Sequence, residues 1–185
     1  MRVLITGGSG FVGRALMRIF KGSNFFYLSN NCNSNKRLIN CNLINPDDTK
    51  SIYNDIKPKV TIHLAALKNP QINDTHKELA YETNYTITEN ITSNISNNEY
   101  LIFNSSDVVY NGEEGCPNEN SKLMPRNYHG ELKIKCESII QKYITNYTIL
   151  RLSTIYDDNV KYLEANKRDN FINYALYKLS NNSKC

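Results

Sequence analysis

The stretch that decides the fold is RVLITGGSGFVGRALM, residues 2–17. Its apolar start predicts a buried strand, its glycine cluster a tight turn, and its last residues the beginning of a helix. Gly8, Gly10 and Gly13 fit the dinucleotide-binding spacing, in the strand–turn–helix context that this turn requires. Glycine lets the backbone approach a diphosphate closely, and the helix N-terminus offers that anion N–H groups and a positive dipole end. The stretch therefore predicts nucleotide binding.

Beyond residue 17 the chain alternates short apolar runs with helical patterns. We expect strands at 24–29, 38–41, 59–66, 100–104 and 147–152, and helices at 46–55, 75–95, 126–143 and 170–179. Strands that alternate with helices predict an α/β fold with a doubly wound parallel sheet, as in Rossmann domains. At 185 residues the chain is long enough for one well-buried domain and short for two.

Composition and charge narrow the classes of function. The net charge is +4 and the basic residues are scattered, so we expect no nucleic-acid partner. The sequence has no run near the ~20 apolar residues of a membrane span, and it begins with a strand instead of a signal peptide. The five cysteines are odd in number and lack metal-ligand spacing, which suits a reducing compartment. We therefore expect a cytoplasmic protein with no metal site and no membrane contact.

The end of the second predicted strand bears on the choice of dinucleotide. In NAD-binding Rossmann units an acidic residue near this point binds the ribose 2′-hydroxyl. Here the residues are Ser29, Asn30 and Asn31, with Lys36 and Arg37 a little further on. The missing carboxylate removes a repulsion against a 2′-phosphate and mildly favours NADP. Asparagine can also bond a hydroxyl, so NAD stays open.

Four motifs follow one another along the chain. They are TGGSGFVG at 6–13, IHLAA at 62–66, SSDVVYNG at 105–112 and NYHGELKIKCE at 127–137. In this order the chain resembles the extended short-chain dehydrogenase/reductase family, which acts mainly on nucleotide sugars. It is most similar to the dTDP-4-dehydrorhamnose reductases and their relatives. The resemblance implies a Rossmann fold, NADP or NAD as cofactor, and a nucleotide-sugar substrate.

The resemblance also implies where the cofactor would lie. Backbone N–H groups of the turn would hold the diphosphate, the pair at 42–43 would lie beside the adenine, and small side chains would line the nicotinamide ribose. An asparagine in a later helix would support the active-site helix. The residues implied, together with Asn30, are Gly7, Ser9, Gly10, Phe11, Val12, Gly13, Asn42, Leu43, Ala65, Ala66, Asn84 and Lys133. The alternative interpretation is that the two alanines and the helical asparagine contribute only to packing.

Catalysis in this family needs a hydroxyl residue, a tyrosine, and a lysine four positions after the tyrosine on the same helix face. The lysine cation lowers the pKa of the tyrosine, whose phenol exchanges a proton with the substrate while the cofactor carries the hydride. By motif, Ser106 is the hydroxyl residue and Lys133 the lysine. The residue four positions before Lys133 is His129. Tyr128 lies five positions before it, about 140° of helical rotation away from the lysine's direction.

Three hypotheses follow from this departure. His129 replaces the tyrosine as proton donor, since imidazole titrates near pH ~6.5. A π-type irregularity in the helix brings Tyr128 into place. In the third, the proton relay is broken and the chain binds a nucleotide without efficient turnover, because a fold does not secure a function.

The C-terminal part is the second departure. Family members usually continue into a smaller domain that closes over the nucleotide sugar. We expect a dinucleotide-binding domain at 1–152 and, at 153–185, a remnant of a substrate-binding domain that is largely missing. The leading hypothesis is a sugar-nucleotide reductase or epimerase that transfers a hydride at a 4-keto-sugar nucleotide. The alternative is a non-catalytic dinucleotide-binding or regulatory module. Either form is expected to assemble as a homo-oligomer or with a larger enzyme.

Overall fold

The computed structural model describes residues 1–30, 36–67, 70–113 and 115–155. The chain divides into two units, residues 1–151 and 152–185, and the second is described only at residues 152–155. The helix predicted at 170–179 lies outside the described residues, as does most of the predicted remnant.

A six-stranded sheet is the framework of the first unit. Its strands are β1 (Val3–Thr6), β2 (Phe25–Ser29), β3 (Leu38–Asn40), β4 (Val60–His63), β5 (Tyr100–Ser106) and β6 (Tyr147–Leu152). They run across the sheet in the order β3-β2-β1-β4-β5-β6, and the neighbouring pairs from β3 to β5 are parallel. This strand order is that of a Rossmann fold, and it confirms the predicted fold class.

The helices of the described residues lie close to the predicted ones. They are α1 (Phe11–Ile19), α2 (Pro46–Ile56), α3 (Pro70–Thr75), α4 (Lys77–Tyr81), α5 (Ile87–Thr92) and α6 (Tyr128–Tyr143). The helical region predicted over 75–95 is confirmed, because α4, a π-helical turn at Glu82–Thr86 and α5 follow one another without a break. The sequence did not predict the π turn within it. The π turn contains Asn84, whose side chain bonds to Leu67 outside the helix. A π turn at such a contact is typical of a functional position.

Strand β4 also ends earlier than predicted. The apolar run continues to Ala66, yet the strand stops at His63. The backbone N–H groups of Leu64 and Ala65 both donate to the Thr6 hydroxyl, at 3.1 Å each, instead of continuing the ladder. The chain therefore leaves the sheet beside the turn that follows β1.

Two apolar layers pack on the two faces of the sheet. One contains Leu4, Leu28 and Leu101 together with residues of α2, α5 and α6. The other contains Val3, Ile5, Tyr27 and Met17 of α1. A strand that is buried on both faces reads as a continuous apolar run, which is why β1 was visible in the sequence.

A buried ion pair joins α6 to β6. The Arg151 guanidinium donates to both carboxylate oxygens of Glu137, at 2.8 Å from Nη2 to Oε2, and the Glu137 side chain is 1% exposed. The Ser105 hydroxyl donates to the same carboxylate, and Arg151 also donates to the Tyr110 hydroxyl at 2.6 Å. The hydrogen bonds that Arg151 donates to Glu137 raise the pKa of Arg151 further above its usual range. The contacts tie α6, β5 and β6 together.

Among the described residues, no helix is both long enough and apolar enough to cross a membrane.

Candidate functional site

The glycine turn between β1 and α1 is shaped as a backbone cradle. Gly7 has φ +69°, and a Cβ added there would lie 2.9 Å from the backbone N of Ala65. A Cβ on Gly13 would lie 2.7 Å from the Cα of Gly8. Gly10 is the N-cap of α1 and provides no side-chain cap for its first turn. Space that only glycine leaves open, at the N-terminus of a helix, fits the diphosphate of a dinucleotide.

The end of β2 lies beside this turn. The hydroxyls of Ser9 and Ser29 are hydrogen-bonded at 2.7 Å, and the next residue, Asn30, is exposed. A hydroxyl pair and an amide therefore stand at the end of β2, where NAD-binding Rossmann domains commonly have a carboxylate. The absence of a negative charge at these residues is compatible with a 2′-phosphate or a 2′-hydroxyl.

Arg37, one of the two basic residues noted after β2, has a structural role. Its guanidinium donates to the backbone oxygens of Met17, at 2.6 Å, and Phe20, at 2.8 Å, and it lies 5.3 Å from the centre of the Tyr27 ring. A cation on the last carbonyls of a helix stabilises that end. Arg37 thus stabilises the C-terminal end of α1. Because its guanidinium is used there, its presence does not favour NADP over NAD.

The pair expected beside the adenine is anchored by a residue that the sequence did not single out. Asn42 is exposed and accepts a hydrogen bond from the N–H of Ile44 at 3.3 Å, whereas Leu43 is a core residue, 5% exposed. The side-chain amide of Asn90 donates to the carbonyls of Leu43 and Ile44, at 2.9 Å each. Asn90 of α5 thus holds this loop in place. The two are more than forty residues apart in the sequence, so no local sequence pattern predicts the contact.

A buried histidine connects the ends of β1 and β4 with α5. His63 Nδ1 lies 2.8 Å from the Thr6 hydroxyl, and Nε2 lies 3.1 Å from the Thr88 hydroxyl. Thr88 donates its hydrogen to the carbonyl of Asn84 at 2.7 Å, so it accepts from Nε2–H of His63. The Thr6 hydroxyl then donates to Nδ1 of His63 and accepts from the backbone N–H groups that follow β4. Burial, reinforced by the Lys133 cation, lowers the pKa of His63 to about 3.

Two asparagines hold the loop after β4, where Ala65 and Ala66 are half-buried. The Asn84 side-chain oxygen accepts from the N–H of Leu67 at 2.6 Å. The Asn73 side-chain amide donates to the Leu67 carbonyl at 3.1 Å. Asn84 therefore has a demonstrable positioning contact. Asn73 was missed in the sequence because it stands in a polar stretch without periodicity.

The predicted hydroxyl and lysine residues lie at the end of β5 and on α6. Ser106 caps the 3₁₀ turn Asp107–Val109, accepting from the N–H of Val108 at 3.4 Å. Lys133 is buried, 6% exposed, and its Nζ donates to the carbonyl of Asn104 at 2.6 Å, 4.8 Å from the centre of the Phe103 ring. Burial lowers the pKa of Lys133, opposed by the neighbouring Cys136 and Glu137.

Helix α6 contains no irregularity that would reposition Tyr128. It is α-helical from Tyr128 to Tyr143, so the hypothesis of a π-type bulge at this position is wrong. Tyr128 is the first residue of the helix, its N–H donates to the Asp74 carboxylate at 2.8 Å, and its ring lies 5.1 Å from Nζ of Lys77.

His129, by contrast, is buried on the same helix, 8% exposed. Its Nδ1 lies 2.5 Å from the side-chain amide nitrogen of Asn73. Burial, and then the Lys133 cation, lower the pKa of His129 to about 4, against an opposite effect of Asp74. The imidazole is therefore neutral at pH 7.

The two buried histidines predict an acid-labile fold. Since His63 and His129 titrate near 3 and 4 in the native state and near pH ~6.5 when unfolded, the unfolded state binds more protons below pH 6.5. The stability present above this pH is then lost as the pH falls, by about 1.4 kcal/mol per pH unit for each histidine. Urea unfolding between pH 7 and 5 measures the loss. His76→Gln, a change at an exposed histidine, should leave the slope unchanged.

The RmlD substrate binding domain family matches residues 1–184. A related protein, methionine adenosyltransferase 2 subunit beta of Xenopus laevis, is 31% identical over 166 residues, which cover 89% of this chain and 50% of that protein. The chain thus spans about half the length of the curated relatives it matches.

Solved reductases have the same fold. A hypothetical dTDP-4-dehydrorhamnose reductase from Sulfolobus tokodaii is 26% identical, with a TM-score of 0.75 over 88% of this chain and 60% of that one. The dTDP-4-dehydrorhamnose reductase of Bacillus anthracis, in complex with NADP, is 21% identical, with a TM-score of 0.72 over 91% of this chain and 60% of that one.

Proposed function

The chain belongs to the RmlD substrate binding domain family, and from this premise we propose that it binds a nicotinamide dinucleotide without efficient hydride transfer. Its fold is that of the sugar-nucleotide reductases. The single observation that carries the proposal is the neutral, buried His129 at the position of the proton-donating tyrosine.

Binding is supported by the glycine turn. The backbone of Ser9–Val12, at the start of α1, would hold the diphosphate, and the loop of Ala65 and Ala66 would flank the nicotinamide ribose together with Lys133. When bound, such a dinucleotide supplies a ring that carries a hydride. The reductase of Bacillus anthracis was solved in complex with NADP. The end of β2 leaves both NADP and NAD as candidates, and Ser29 and Asn30 are the residues that would bind the ribose.

The step that would limit turnover is proton transfer to the substrate. Reduction of a ketone needs a group that gives a proton to the developing alkoxide, and general acid catalysis of this kind contributes about 10²–10⁴-fold in rate. A neutral imidazole can give a proton only by becoming an imidazolate, which is far less favourable than loss of a proton from a phenol beside a lysine. We therefore assign His129 a binding role.

A subunit role accounts for such a site. The relative from Xenopus laevis is named as a subunit of methionine adenosyltransferase. We infer that this chain likewise assembles with a larger enzyme, and a methionine adenosyltransferase is the first to test. Co-purification of the two proteins, with and without added NADP, measures the association.

The second candidate is an active reductase or epimerase for a 4-keto-sugar nucleotide. It is favoured by the retention of Ser106, Lys133 and Asn84 at the positions that the family uses. In that case NADPH would be oxidised in the presence of such a sugar nucleotide, and His129→Tyr would lower the rate.

Binding is tested by Gly13→Ala. The added Cβ meets backbone of the turn, which has to shift, and such overpacking costs about 1–3 kcal/mol. We expect dinucleotide affinity to fall at least about tenfold, measured by calorimetry with NADPH and NADH. Gly115→Ala is the matched control, because nothing lies within 4 Å of a Cβ there. Equal affinity of the two variants, or no affinity of the natural chain for either nucleotide, would refute the proposal.

A further inference from the structure

The Asn73 side chain contacts both the loop after β4 and His129. It lies in α3, is fully buried, and connects residues that are far apart in the sequence. One amide hydrogen is directed at the Leu67 carbonyl, at 3.1 Å from Nδ2, and the other at His129 Nδ1, at 2.5 Å. Both hydrogens of the amide are thereby used.

The Leu67 carbonyl fixes which way this amide faces. Two oxygens cannot hydrogen-bond to each other, so the Asn73 atom beside the carbonyl is the nitrogen. The same nitrogen faces His129 Nδ1, which therefore accepts a hydrogen bond and carries no proton. In a neutral imidazole the proton is then on Nε2.

The charged groups around His129 do not reverse this assignment. Lys133, one turn along α6, disfavours an imidazolium, and Asp74 of α3 favours it. The Asp74 carboxylate, however, accepts from the backbone N–H of Tyr128 at 2.8 Å. The group in direct contact with the ring is the Asn73 amide, which is neutral and acts as a donor.

We propose that Asn73 is a positioning residue that locks His129 as a neutral imidazole with its proton on Nε2, so that the site recognises a hydrogen-bond acceptor and does not protonate it. This inference rests on the proposed function and deepens it. The acceptor is a carbonyl or hydroxyl oxygen of the nucleotide or sugar. The Nε2–H group of His129 has no protein partner within the residues that the structure describes, and it is left for that oxygen.

In Asn73→Asp, we expect the direction of the hydrogen bond between residue 73 and His129 to be reversed. A carboxylate in the same place accepts from Nδ1–H and stabilises the imidazolium, which can give up a proton and leave a neutral ring. An opposite charge at this distance shifts a titration by about 1–3 pH units. The measurement is nitrogen NMR of the imidazoles in the full chain. It has only three histidines to assign, and one of them, His76, is exposed.

In the natural chain we expect His129 to show an unprotonated Nδ1 and a protonated Nε2 at pH 7. In Asn73→Asp we expect Nδ1 to become protonated and the titration midpoint to rise. Asn120→Asp, an exposed change of the same charge, should leave His129 unaltered. A protonated Nδ1 in the natural chain, or an unchanged tautomer and midpoint in Asn73→Asp, would overturn the proposal.

Asn73→Ala provides a second route if the carboxylate variant does not fold. It removes the donor without adding a charge, and we expect both tautomers of His129 to become populated. A single Nε2–H tautomer in this variant would contradict the role of Asn73. These spectra are recorded without nucleotide. A lack of NADP affinity would therefore refute the proposed function alone, and a wrong tautomer would refute the lock alone.

Discussion

Replacing His129 by tyrosine is expected to raise the rate of NADPH oxidation with 4-keto-sugar nucleotides by about 100-fold. The phenol would stand four residues before Lys133, on the same face of α6, where the cation can lower the pKa of the phenol. A group that could only donate a hydrogen bond is thereby replaced by one that can transfer a proton. Initial rates with a panel of sugar nucleotides measure the effect.

His129→Phe is the matched control, since it has the ring of tyrosine without the hydroxyl. We expect no gain for this variant, and melting temperatures of the three proteins show that each is folded. The split between kcat and KM is informative, because a proton donor acts on kcat. A fall in kcat for His129→Tyr would mean that the natural chain uses His129 itself in catalysis.

The sequence was sufficient for the sheet because each strand is an apolar run with a turn signal after it. Val3–Thr6 and Phe25–Ser29 are such runs, and the alternation of strands with helices predicts the parallel sheet. The region of 75–95 is likewise predicted to be helical, but its π turn is not. The Asn84 side chain in this turn accepts a hydrogen bond from Leu67, a contact that exists only in the folded chain.

The residues of the candidate site differ in the same way in how far the sequence predicts them. Motifs indicated the glycine turn and Lys133, because their roles depend on local geometry and spacing. Asn73 and Asn90 were not indicated, since their roles depend on partners 56 and 47 residues away. The role of Arg37 was likewise not indicated, since its hydrogen-bond partners lie at the end of α1.

Replacing Arg151 by methionine is expected to lower the free energy of unfolding by about 3–5 kcal/mol. The variant removes the partner of a carboxylate that is 1% exposed, and among the described residues Ser105 is the donor that remains. A buried charge without its counter-ion carries the full desolvation cost. The midpoint and slope of urea unfolding, followed by circular dichroism, give the change.

The surface pair of Arg126 and Glu113 is the internal control. Its side chains are 61% and 71% exposed, so Arg126→Met should change stability by no more than about 1 kcal/mol. The double variant Glu137→Met/Arg151→Met shows why Arg151→Met loses stability. If the loss comes from an uncompensated charge, removing both groups restores most of the stability, because apolar residues of similar size replace the buried pair. If the double variant is as unstable as Arg151→Met, the contacts of Arg151 with Tyr110 and the loop after β5 carry the stabilisation instead.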